Sequence, residues 1–82
     1  MFNDSGIIKD IESKAHVYNN WTIGITSDPE ARKKTLGNPF NWYQWKASSE
    51  GAARRIESYF LEKGMKEDKT AKGSSPTYIY IF

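Results

Sequence analysis

The chain contains no cysteine. Disulfides, cysteine-ligated zinc and thiol chemistry are excluded together, and a small domain without disulfides fits a reducing compartment, so a cytoplasmic location is expected. Histidine is almost as scarce, His16 being the single one. It stands in a helical stretch and reads as a partly exposed helix residue. With one histidine, neither a helical His-x-x-x-His pair nor a convincing Ser–His–Asp grouping can be assembled. No apolar run is long enough to span a bilayer, and the N-terminal residues lack the basic-then-apolar pattern of an export signal, so no membrane partner is expected. Excess charge is missing too. Twelve Lys and Arg against ten Asp and Glu leave +2, a balance too small to imply nucleic acid by itself. There is no glycine-rich phosphate loop and no internal repeat.

Aromatic side chains are abundant instead, at 15% of 82 residues, with three Trp and five Tyr. A chain of this length makes one domain, residues 1–82, and a monomer is expected. It buries only roughly 60–65% of the surface its unfolded form exposes, and large rings partly compensate for the thin core.

Ile7, Ile8, Ile11, Ala15 and Tyr18 recur at helix spacing, with Asp4 or Ser5 able to cap the start and Asn19-Asn20 a stop. Trp21, Ile23 and Ile25 then alternate with Thr22, Gly24 and Thr26, the pattern of a strand with one apolar face. Gly24 marks a bulge or close helix packing, or it lets another group approach the backbone. A helix follows at once. Either Ser27 and Glu30 form a capping box, or Asp28 caps and Pro29 is the first helical residue. Leu36-Gly37-Asn38-Pro39 ends it. Pro29, Arg32 and Leu36 share a face, so Arg32 lies on an apolar side, while Lys33 and Lys34 project elsewhere.

Asn41–Ala47 reads as a second strand, with Tyr43, Trp45 and Ala47 on one face and Trp42, Gln44 and Lys46 on the other. Ser48 or Ser49 caps a helix over residues 49–63. On it Ala52, Ala53, Ile56, Tyr59 and Phe60 fill about 120° of arc, and Leu61 extends the apolar sector. Glu57 falls inside that sector. A carboxylate there must reach a wet edge, be protonated, pair with a cation or hold a metal. Gly64 ends the helix, and residues 64–76 read as a polar, aperiodic, mobile loop. Thr77–Phe82 is a strand with Ile79 and Ile81 on one face and Tyr78, Tyr80 and Phe82 on the other. Its composition places it inside a sheet. The fold class expected is α+β, with a small three-stranded, mostly antiparallel sheet flanked by three helices, although parallel crossovers also fit this order.

Ile23-Gly24, a short turn, Arg32 on the next helix, a strand, and then a helix carrying Ala53 and Glu57 together resemble the GIY-YIG endonuclease pattern over residues 21–64. TIGITSDPEARKK resembles that family's second motif, and SSEGAARRIESYFLEKG resembles its later helix, which carries a metal-binding glutamate. The resemblance implies a GIY-YIG-like fold and Mg²⁺-dependent cleavage of a phosphodiester, with DNA as partner. Arg32 would stabilise charge on the scissile phosphate, Glu57 would hold the Mg²⁺, and a tyrosine would accept a proton. A fixed cation and a metal with one carboxylate suit a reaction that concentrates charge on phosphoryl oxygens.

The sequence departs from the family in places. Thr22 stands where the second motif has tyrosine, the upstream region is helical with His16-Val17-Tyr18 the nearest echo of the first motif, and no asparagine follows Glu57. TYIYIF looks like the missing first strand. Paired beside Trp21–Thr26, it would bring Tyr78 or Tyr80 into one cleft with Gly24, Arg32 and Glu57. Gly24, Lys33, Trp42 and Lys46 are the candidate substrate-binding positions.

The competing reading is a catalytically silent module of the same fold that binds nucleic acid, or a protein, through Tyr78, Tyr80, Trp42 and Lys46. The aromatics can equally pack against helices, and Arg32 with Glu57 can equally form a structural ion pair. At +2 the chain lacks the basic surface to hold DNA unaided at physiological salt, so the resemblance reaches further for fold than for activity.

Overall fold

The computed structural model describes residues 4–68 and 75–82. The first helix, α1 (Asp4–Lys14), buries Ile7 and Ile11. It is shorter than the apolar stripe suggests. Beyond buried Ala15 the chain tightens into a 3₁₀ turn (Tyr18–Asn20), in which Asn20 and Trp21 donate to the carbonyls of Val17 and Tyr18. That turn swings the backbone into strand β1 (Thr22–Thr26). Asp28 caps α2 (Pro29–Thr35) by accepting from the Ala31 N–H at 3.1 Å, with Pro29 in the first turn. Strand β2 (Tyr43–Lys46) follows, and then α3 (Glu50–Glu62), capped by Ser49.

The chain after α3 corrects the expected fold. Gly64 takes φ 112°, a conformation that favours glycine. Its N–H donates to the Leu61 carbonyl, and the Met65 N–H donates to that of Phe60. This helix stop turns Met65 into the core and sends Lys66–Glu67 alongside β1 as a short strand, β3. The Lys66 and Asp68 N–H groups donate to the carbonyls of Trp21 and Ile23 at 3.0 Å. The sheet therefore has four strands rather than three, in the order β2-β4-β1-β3, where β4 is Tyr78–Ile81. The strand came from within the stretch read as a loop because backbone bonds make it, and its two polar residues carry no alternation. The remainder of that expected loop, residues 69–74, lies outside the described residues.

β4 runs antiparallel between β1 and β2, and β3 runs parallel to β1. The register aligns Ile25, Ile79 and Trp45 in one cross-strand row and Ile23, Ile81 and Tyr43 in the next. All of these residues except exposed Tyr43 form the core face with Ile7, Ile11 and Ala15 of the α1 region and Ala52, Ala53, Ile56 and Phe60 of α3. The Trp45 indole N–H donates to Asp10 at 2.7 Å and Tyr59 donates to Glu12 at 3.3 Å, which ties α1 to the sheet and to α3. Side chains alternate along a strand, so the intervening residues, Gly24, Tyr80 and Gln44 in one row and Thr26, Tyr78 and Lys46 in the other, share the opposite face. Among the described residues no helix is long and apolar enough to cross a membrane.

Candidate functional site

On this second face Tyr80 lies directly opposite Gly24. A Cβ added at Gly24 would run into the Tyr80 hydroxyl oxygen and ring, closer than real Cβ atoms come. Gly24 is thus a place of close approach, and its visitor is an aromatic ring from the neighbouring strand. Trp42, just before β2, stacks on the far side of that ring, with centroids 4.7 Å apart and planes 11° from parallel. It also reaches Phe82, at 5.8 Å, and donates its indole N–H to Gln44 at 2.8 Å. Tyr80 is fixed between a glycine below and a tryptophan above.

The Tyr80 hydroxyl meets Arg32 and Asp68. Arg32 projects from α2 and grips the Asp68 carboxylate, its Nη2 donating at 2.9 and 2.8 Å and its Nε at 3.1 Å. The same Nε–H donates to the Tyr80 oxygen at 3.2 Å, and the Tyr80 O–H donates to Asp68 in a short hydrogen bond. Arg32 and Asp68 side chains are only 10% and 8% exposed. Burial opposes the Arg32 charge, but the bonds to Asp68 and Tyr80 outweigh it and hold the guanidinium pKa above its ordinary value. Burial pushes the Tyr80 hydroxyl well above the ordinary phenol range, and the bond to Asp68 adds to that, while Arg32 pulls the other way.

A raised folded-state pKa on an acid that is neutral when protonated has a definite sign. The stability contributed by neutral Tyr80 is complete below about pH 10, the unfolded phenol value, and is lost as pH rises towards the folded value. Alkaline ultraviolet titration is expected to show one of the five tyrosines ionising only as the protein unfolds, and Tyr80→Phe is expected to remove that late step.

Gly24, Arg32, Tyr80 and Trp42 are therefore brought together. Tyr78 lies one row along the same face, half-buried, with the Lys46 ammonium 5.8 Å from its ring centroid. Lys33 is half-buried on α2. Glu57 is not part of the group. It is 6% exposed on α3, which packs on the isoleucine face, so the sheet stands between it and the Arg32 set. The expected Gly24–Arg32–Glu57 cleft does not form, and Arg32 takes Asp68 as its acid. Asp68 was hidden in an aperiodic polar stretch; the one signal for it was that Arg32, facing an apolar side, required an acid from somewhere.

This donor set does not suit Mg²⁺. The Asp68 oxygens are engaged by Arg32 and Tyr80, Glu57 is on the other face, and among the described residues no three His, Cys, Asp or Glu side chains cluster. No buried side-chain nitrogen or oxygen among the described residues lacks a hydrogen-bond partner. Chemically, the arrangement locks a cation, an anion and a phenol together beneath a tryptophan. Comparison of the chain with protein-family models, with curated proteins and with solved structures finds no match.

Proposed function

We propose that the chain is a catalytically silent GIY-YIG-like domain, cytoplasmic and acting as a single chain, that binds single-stranded nucleic acid on its aromatic sheet face. The observation that carries this reading is the closure of Arg32 and Tyr80 on Asp68. These are the groups that the resemblance would set to work on a phosphate. A guanidinium forked onto a buried carboxylate has little left for one. A hydroxyl with a raised pKa makes a poor proton acceptor.

Around the closed set, side chains suited to binding stay within reach of solvent. Trp42, Tyr78 and Phe82 are half-buried, Lys46 is exposed, and Phe40, on the approach to Trp42, is 100% exposed. Bases stack on aromatic rings whatever their sequence, and lysines meet the backbone between them. A duplex hides its base faces, and a domain at +2 cannot hold one by phosphate contacts alone.

Titration of tryptophan fluorescence with an oligothymidylate tests this. Quenching is expected, with a salt dependence near that of two phosphate contacts, a log–log slope of about −1.4. Phe40→Ala is expected to weaken binding by about 5- to 150-fold, the span for loss of one stacked base. Because the ring is fully exposed, its melting temperature should not change. Flat fluorescence, or a Phe40 variant that binds as well as the parent, removes the reading.

A second reading, metal-dependent cleavage of DNA, draws on the meeting of Gly24, Arg32 and Tyr80 at one point. It requires Arg32 to leave Asp68, so that guanidinium and carboxylate are both released. On that reading the parent nicks a branched or nicked duplex in Mg²⁺ buffer and Arg32→Ala does not. A parent that leaves the duplex intact counts for the silent reading.

A further inference from the structure

Strand β2 forms one edge of the sheet, and among the described residues nothing pairs with its outer side. Which backbone groups face outward follows from the register. The Ala47 N–H donates to the Thr77 carbonyl at 2.8 Å. Antiparallel pairs alternate between bonded and non-bonded, so Ala47, Trp45 and Tyr43 direct their N–H and C=O groups at β4. Lys46, Gln44 and, in the same phase, Trp42 direct theirs away from the sheet. Gln44 and Lys46 are exposed, and Tyr43, on the other face of this strand, is 39% exposed, one of three large apolar side chains left open among the described residues. An unpaired antiparallel edge of this kind is a template for another strand.

We propose that the occupant is a second copy of this chain, paired antiparallel along β2 with Gln44 on the symmetry axis. The edge is complementary to itself in that register. Lys46 of each copy falls across from Trp42 of the other, and Tyr43 falls across from Trp45. A lysine is thereby offered to an aromatic ring twice, a favourable meeting, and Lys46 already sits near a ring within its own chain, that of Tyr78. No lysine faces a lysine. Centring the pair on Lys46 would oppose two ammonium groups directly, which like-charge repulsion disfavours. The strand holds no Asp or Glu, so nothing acidic meets the partner's lysine in competition with Trp42.

The interface is a few backbone bonds and four ring contacts, below the size of a stable dimer, so the association is weak and concentration-dependent. In dilute solution the chain is single. Residues in bonded antiparallel pairs point to the same side, so the two Gly24 faces join into one longer aromatic surface. That consequence rests on the proposed nucleic-acid reading. The pairing does not, and it is tested without nucleic acid.

Sedimentation equilibrium from about 10 µM to about 1 mM, the range in which a small transient interface populates, should show the mass rising from 9.4 kDa towards twice that value. Over the same range the Gln44 and Lys46 amides should gain protection from hydrogen exchange. Gln44→Glu keeps an oxygen to accept the Trp42 indole N–H, so the fold is preserved, but it sets two carboxylates against each other on the axis. It should weaken dimerisation at least tenfold at low salt and recover in high salt, where screening is strong. A mass that stays at one chain throughout, protection that appears elsewhere, or a Gln44→Glu variant that dimerises like the parent at low salt overturns the proposal. Loss of oligonucleotide binding with dimerisation intact would instead count against the nucleic-acid reading alone.

Discussion

Asp68→Ala is expected to lower the unfolding free energy by about 3–5 kcal/mol, the penalty for breaking a buried ion pair from one side. The size follows from what the substitution leaves behind. Arg32 stays 10% exposed with its carboxylate gone, and the Tyr80 hydroxyl loses the acceptor of its proton. The hydroxyl must then find another acceptor or water, and the buried guanidinium loses the charge it is paired with. The two-residue strand β3 also loses its side-chain anchor, because Asp68 stands immediately beyond it. Urea denaturation of the variant measures the loss. A triple replacement, Arg32→Met, Asp68→Leu and Tyr80→Phe, separates the pair's attraction from the penalty of orphaning its members. Removing all three polar groups together should recover most of the loss, since buried ion pairs often roughly break even against well-packed apolar side chains. A loss under about 1 kcal/mol for Asp68→Ala would give the pair the weight of a surface contact, and the closed site would no longer explain why this face is silent.

Gly24→Ala is the second large effect, expected at about 1–3 kcal/mol, the range for overpacking a filled interior. One methyl group is ordinarily tolerated in a strand and even favoured over glycine. Here it enters space occupied by the Tyr80 ring and hydroxyl. That ring cannot swing clear, because Trp42 stacks against it and Arg32 and Asp68 hold its hydroxyl. The melting temperature should fall by about 4–8 °C for each kcal/mol lost. Combining Gly24→Ala with Tyr80→Phe removes one of the clashing atoms, so the two penalties should sum to less than their separate values. A Gly24→Ala protein that melts at or above the parent would show that the glycine is not kept for the tyrosine.

Where local chemistry decides an element, the sequence was legible. Ser27 with Glu30, or Asp28 with Pro29, placed the start of α2, and Ser48 or Ser49 that of α3, the caps being Asp28 and Ser49; alternation of isoleucine with tyrosine or threonine assigned the faces of β1 and β4. The approach of a tyrosine from the last strand to Gly24 and Arg32 was legible in part, because a glycine in a strand invites a visitor and the aromatic strand lacked a neighbour, but the residues left Tyr78 and Tyr80 as equal candidates; the register selects Tyr80. Two features were not legible. β3 owes its place to backbone hydrogen bonds and to the turn at Gly64, and neither leaves a period in the side chains. The partner of Arg32 was misjudged for a related reason. Helical geometry shows which side a residue faces but not which side of a distant sheet its helix will cover. Glu57 and Arg32 each had the right local signature, and the crossing of the chain put α3 over the isoleucine face. An acid that looked free to serve a site became part of the interior.

The position of β4 governs how the protein can be made. Its four residues fill the gap between β1 and β2, which have no direct pairing with each other. While the ribosome is still adding residues 47–77, at about 5–20 residues per second, β1 and β2 each keep an open hydrogen-bonding flank, and Ile23, Ile25 and Trp45 lack the isoleucines that later lie between them. The sheet can therefore close only once the segment around Tyr80 has emerged, and because its pairings join residues far apart in the chain, loop-closure entropy slows that step. Deleting this strand alone would leave two halves of a sheet with nothing to join them.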